Sequence, residues 1–193
     1  QGYDYAMVQI GDQCWFAENL RISQYLNGDS LASGLDQENW SLLGAEGIGS
    51  NSTYGSNGEC LHQHPSIDAC NPVESQIEFG RLYNWFAVSD ERQICPANWH
   101  VSSDLDWREL EASIGLVDSL LFTNGWRGEN LSHLLKSTSG WAENGNGVDA
   151  LEFDGRAGGM RFGSGGYNHA GNQARWWTSS FNDFSEPYYR MLY

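Results

Sequence analysis

The strongest local constraint on this fold lies in residues 95–110, Cys95-Pro96-Ala97-Asn98-Trp99-His100-Val101-Ser102-Ser103-Asp104-Leu105-Asp106-Trp107-Arg108-Glu109-Leu110. A Cys-Pro lead-in reads as extended chain, and Ser103 is placed to cap a helix by accepting a free backbone N–H of its first turn. Asp104 and Asp106 put negative charge at the positive end of that helix. Trp107, Leu110 and Ile114 follow at i, i+3 and i+7, so they share one face, and Gly115 is a stop signal. The result is a short, one-sided helix. Nothing in the stretch pairs a nucleophile with a base, so its tryptophans and Cys95 read as scaffold.

A chain of 193 residues can bury a real core and fits one domain over 1–193. The net charge of −15 comes from few cations, because charged residues are only 18% of the chain. No Lys/Arg stripe is available to neutralise phosphates, which argues against nucleic acid as a partner. No run of about 18 apolar residues exists, so membrane insertion is not expected. With 23 glycines, 13% aromatics and scarce amphipathic periodicity, the expected fold class is α+β. It is expected to be loop-rich, with antiparallel sheets and two or three short helices.

The four cysteines allow three pairings. Cys60 and Cys70 bracket a polar loop and form the natural local pair. Cys14 and Cys95 would then make a long-range clamp between the first hairpin and the lead-in to the helix. An even cysteine count with little Lys and Met suits an oxidising extracellular setting. The competing reading is a zinc site from Cys60, His62, His64 and Cys70, whose spacing matches no standard zinc knuckle.

Residues 5–10 alternate enough to be a strand, Gly11-Asp12 is a turn and residues 13–16 return as a hairpin. From Arg21 to about Ser75 the chain is polar and rich in Gly, Ser and Asn. Such length predicts a functional excursion pinned by Tyr25, Leu31, Trp40, Tyr54 and the cysteine pair. Phe79 to Val88 is a second helix candidate, and Leu131, Leu134 and Leu135 mark a helical turn. Asn144, Asn146 and Asp149, with glycines between, present oxygens suited to calcium. The same pattern equally builds a turn whose Asn and Asp side chains bond their own backbone. Residues 158–162, 174–180 and 188–193 read as strands. Sequons occur at Asn39, Asn51 and Asn130.

These segments, in this order, resemble the Fibrobacter major paralogous domain family of secreted and surface-attached bacterial domains. The matching pieces are Ile10-Gly11-Asp12-Gln13-Cys14-Trp15 with Glu18-Asn19-Leu20, then Gly80-Arg81-Leu82-Tyr83-Asn84-Trp85, then the 95–110 stretch. Leu135 to Trp141, Asn144 to Asp149, Gly158-Gly159-Met160-Arg161 and Trp176-Trp177-Thr178-Ser179-Ser180 complete the series. Asn98, Ser102 and Asp106 depart from the family's usual Gly, Pro and Glu. The family also continues past the position of Tyr193 through a strand ending in Phe/Val-Arg-Cys. The sequence stops short of it, so that strand is expected either in sequence beyond Tyr193 or from a neighbour.

The order is similar, more distantly, to the formylglycine-generating enzyme family. Its Leu-Pro-Thr-Glu-Ala-Glu-Trp motif parallels Val101 to Trp107, and its Asn-Val-Trp-Glu-Trp motif parallels Asn172 to Trp177. That likeness implies a C-type-lectin-like fold. The oxidase chemistry does not carry over, because no cysteine follows Cys95.

Together these readings lead to a non-enzymatic extracellular surface or fibre subunit, assembling as a homo-oligomer or helical filament by strand donation. The alternative is a calcium-assisted, carbohydrate-binding adhesin. Apart from calcium no cofactor is expected, and glycans are the expected small partners.

Overall fold

The computed structural model describes residues 2–58, 60–128, 130–182 and 186–193. The chain opens with a hairpin, β1 (Met7–Ile10) and β2 (Gln13–Phe16), in which Val8 faces Trp15 and Ile10 faces Gln13. Three helices of eight residues or more follow along the chain: α1 (Gln37–Ala45), α2 (Pro72–Phe79) and α4 (Asp104–Ser113). Two single turns, α3 (Trp85–Val88) and α5 (Asp118–Leu121), lie on either side of α4 in sequence. A 3-10 turn at Ser132–Leu134 accounts for the leucine cluster. The fold is therefore mixed α+β, as expected.

The sheets are small. Short strands β3 (Asn51–Ser52) and β5 (Leu82–Tyr83) pair antiparallel. A three-stranded sheet runs β4 (Cys60–His62), β7 (Tyr167–Ala170), β6 (Gly158–Arg161). Its β4–β7 pair is parallel, a departure from the all-antiparallel expectation. The last pair is β8 (Ala174–Phe181) with β9 (Pro187–Leu192), where Trp177 faces Tyr189.

The helix over residues 104–113 forms as its sequence dictates. Ser103 Oγ accepts the Asp106 N–H at 3.1 Å, and the Asp106 carboxylate takes the Ser103 N–H in return at 2.6 Å. This reciprocal box satisfies donors that the first turn leaves open. Trp107 and Leu110 are buried against Ile10, Leu135 and Phe153, and Gly115 follows the helix at φ 104°. On another side of α4, Asp104 and Glu111 both bind Arg190, which fastens β9 to the helix.

Two expectations need correction. Phe79 to Val88 is not one helix: α2 ends at Phe79, Gly80 turns the chain at φ 71°, β5 intervenes and Asn84 caps the new turn α3. A side chain at Gly80 would lie 2.8 Å from the Leu20 carbonyl, so glycine is required there by space as well as by φ. The Arg21–Ser75 stretch, read as an excursion, holds α1, β3, β4 and the start of α2. Its anchors behave as expected: Tyr25, Leu31, Trp40 and Tyr54 are all buried.

The apolar interior is divided. One cluster gathers around Trp107 and Leu110, a second around Tyr25 and Ile94, a third around Tyr54 and Phe79, and a small fourth around Trp141. The first three do not close on one another completely, and a cleft runs where they meet.

Candidate functional site

That cleft has a volume of about 980 Å³. Its wall takes β2 on one side, the α2–β5–α3 segment and the Ile94–Trp107 lead-in on another, and β6, β8 and β9 on the third. Seven of the nine tryptophans line it: Trp15, Trp40, Trp85, Trp99, Trp107, Trp176 and Trp177. Trp40 and Trp107 are buried, whereas the other five are half-buried.

Most of these indoles are held in place. Trp177 Nε1 donates to the Tyr83 carbonyl at 2.9 Å and Trp85 Nε1 to the Thr178 carbonyl at 3.3 Å, so β8 and the β5–α3 corner anchor each other's rings. Trp176 donates to Asn19 Oδ1 at 3.1 Å, and Trp40 to the Phe162 carbonyl at 3.0 Å. Trp99 stacks on Phe16 at 4.1 Å, and Phe16 stacks on Tyr5 at 4.5 Å. Rings fixed this way present apolar faces with little further loss of side-chain entropy on binding.

Arginines supply the charge. Of the nine in the chain, Arg21, Arg92, Arg108, Arg127, Arg156 and Arg190 are ion-paired with carboxylates. Among the described residues the other three, Arg81, Arg161 and Arg175, have no carboxylate partner, and all three line the cleft. Arg81 Nη1 donates to Asn51 Oδ1 at 2.8 Å. Arg175 is held by Gln173 Oε1 at 2.8 and 3.0 Å and lies over the Tyr189 ring.

The acids of the wall have other duties. Glu18 binds Arg21, the Tyr3 hydroxyl and the Ala6 N–H. Burial pushes its pKa up, but these partners together hold it below the usual carboxylate range. Asp106 behaves alike: burial opposes, while Ser103 and His100 bring it down on balance. His100 Nε2 lies 3.2 Å from Asp106, mostly exposed. The thiol of Cys95 is pushed up to about 11 by burial, so it is a poor nucleophile near neutral pH.

The residues singled out from sequence fall as follows. Cys60 and Cys70 form a disulfide. Cys14 and Cys95 do not clamp: both are free, Cys14 exposed and Cys95 buried. The strand period explains this, because Trp15 packs toward α4 and its neighbour Cys14 therefore faces the other way. His62, Asp68 and Cys70 place ligand atoms within 4.8 Å of one another, but the Cys70 sulfur is in the disulfide and offers no thiolate. His64 lies apart from that group, accepting backbone N–H groups of Ser66 and Ile67.

Asn146 Oδ1 accepts the Trp141 N–H at 3.0 Å, and Asp149 Oδ1 accepts the Asp154 N–H at 2.9 Å. Asn144 and Asp149 both have positive φ, so this segment uses its polar side chains to hold its own turns. Of the sequons, Asn39 and Asn130 are exposed, whereas Asn51 is fully buried and bonded to Arg81.

Sequence reasoning assigned no role to Arg81, Arg161 or Arg175, although each sits in or beside a motif already quoted. The available signal was scarcity: a chain with 10 cations against 25 acids places three of them in aromatic or glycine-flanked motifs.

A sequence model described as the Fibrobacter succinogenes major domain matches residues 8–193 of this chain. No curated protein and no solved structure matches it.

Proposed function

The chain belongs to the Fibrobacter succinogenes major domain family, and on that premise we propose that it is a non-enzymatic, extracellular bacterial surface protein whose cleft binds carbohydrate. The observation that carries this reading is the row of half-buried, hydrogen-bonded tryptophans along one cleft. A pyranose ring has an apolar C–H face and a polar rim. Fixed aromatic faces flanked by Asn19 and Asn98 match both.

The chemistry of the wall supports binding without catalysis. Its carboxylates Glu18 and Asp106 have lowered pKa values, the reverse of what a general acid at neutral pH requires. The Cys60–Cys70 disulfide supports an oxidising setting, and no helix of the described residues is long and apolar enough to cross a membrane. The C-type-lectin-like arrangement belongs to this reading too, supported by the motif order and by hairpin β1–β2 packed on α4. Calcium is not needed for it.

A glycan array tests this. Binding that drops on Trp177→Ala or Trp99→Ala and persists in a calcium chelator is expected; a silent array would overturn it.

A second reading, self-assembly by strand addition, draws on β9. Among the described residues β9 pairs with β8 alone, which leaves an edge to which a strand of a second copy can add. Light scattering showing only a monodisperse monomer would sink it.

A further inference from the structure

We propose that the cleft selects anionic saccharides, pyranose units bearing a carboxylate or sulfate, through the charges of Arg161 and Arg175. This rests on the carbohydrate reading above and narrows its ligand class.

With 25 acids and 10 cations, a carboxylate is abundant for every guanidinium, and six of nine arginines have one. The three that have none among the described residues are gathered on one wall system, that of the cleft. Among the described residues the only acids on that wall, Glu18 and Asp106, are already engaged by Arg21 and by Ser103 with His100. The cleft is thus locally cationic inside a protein of net charge −15.

Arg161 is the sharper case. It is only 8% exposed, and its Nε and Nη2 donate to the backbone carbonyls of Gly165, Leu35 and Asp36 at 2.8 to 3.0 Å. Its Nη1 is buried and has no hydrogen-bond partner among the described residues. The guanidinium lies between Trp40 at 4.2 Å and Tyr167 at 4.9 Å, so aromatic rings flank a desolvated charge, and the Asp36 carboxylate acts on it only from beyond ion-pair distance. A buried cation without a directly paired carboxylate is unfavourable, and an anion in the adjoining cleft would offset it. Arg175, half-buried on β8 and oriented by the neutral Gln173, supplies a second guanidinium at the wall. A guanidinium fork matches a carboxylate or sulfate edge better than an ammonium does. The negative surface elsewhere is screened beyond roughly 8 Å at physiological salt, so the local wall decides the sign.

Calorimetric titration of the intact chain with tetragalacturonate, a sulfated carrageenan tetrasaccharide and neutral galactotetraose tests this. At least one anionic sugar should bind about tenfold or more tighter than the neutral one, the range of a charge-assisted hydrogen bond. R175Q should cut that ratio about tenfold, and R161Q, checked for folding by circular dichroism, should do the same. R92Q, outside the cleft, should leave the ratio unchanged. Equal affinity for neutral and anionic sugars overturns the selectivity while leaving the carbohydrate reading in place, and a ratio untouched by R175Q does likewise. Tighter binding of tetraglutamate than of any sugar overturns it in favour of an acidic protein segment. A silent glycan array would overturn the carbohydrate reading itself.

Discussion

The guanidinium carbon of Arg161 lies 4.2 Å from the centroid of the Trp40 ring, joining β6 to α1 across the middle of the molecule. The same arginine donates to the carbonyls of Leu35 and Asp36 at the start of α1, and Trp40 donates back to the Phe162 carbonyl. Arg161→Lys keeps the charge but cannot reach these carbonyls with one fork. Losing the buried bonds is expected to lower stability by about 2 kcal/mol, read from the urea midpoint. A change under about 0.5 kcal/mol would show that the pair contributes little.

The two free cysteines should differ sharply in reactivity. Cys14 is exposed, whereas burial holds the Cys95 thiol up at about 11. Alkylation of the native, unreduced protein followed by mass spectrometry should label Cys14 and spare Cys95. Absence of labelling at Cys14, with a Cys14–Cys95 peptide recovered after digestion, would restore the clamp.

His64 makes stability depend on pH. Its Nδ1 accepts the Ser66 and Ile67 N–H groups at 3.3 and 3.2 Å, which requires the neutral ring. Burial lowers its pKa, with Glu78 offsetting part of the effect. The unfolded chain therefore binds a proton that the folded one refuses. This histidine's contribution is complete above the unfolded value of about 6.5 and declines as pH falls below it toward the folded value. Denaturation midpoints should drop over that window, and His64→Gln should reduce the slope.

Leu110 is fully buried in the cluster that seats α4. Leu110→Ala leaves a cavity there and is expected to cost about 2–5 kcal/mol, seen as a lowered thermal midpoint. An unchanged midpoint would mean that α4 is not seated on that core.

Legibility followed locality. The Ser103–Asp106 box and the β1–β2 hairpin could be read because each is made by neighbours in sequence. Helix α1 escaped because Trp40 is its one buried residue, which leaves no apolar period to read, and its one clear start signal, Asp36 capping the Asn39 N–H, sits in a Gly/Ser/Asn-rich background. Helix α2 carried a plainer mark in Asn71-Pro72, hidden by the length of the stretch around it. The split at Gly80 depends on the close approach of Leu20, a contact that no local pattern encodes. For the cleft, the tryptophans were visible but read as core. Two of the seven, Trp40 and Trp107, are indeed buried, and the rest line a surface that arises only where three separate clusters meet.

Indole N–H resonances offer the most direct test of carbohydrate binding in the cleft. On adding a saccharide found on the array, the Nε1 signals of Trp85, Trp99, Trp176 and Trp177 should shift together. Trp126, which is 71% exposed but lies outside the cleft, should stay in place, as should the buried Trp141. Shifts confined to Trp126, or none in the cleft indoles at saturating sugar, would contradict the account.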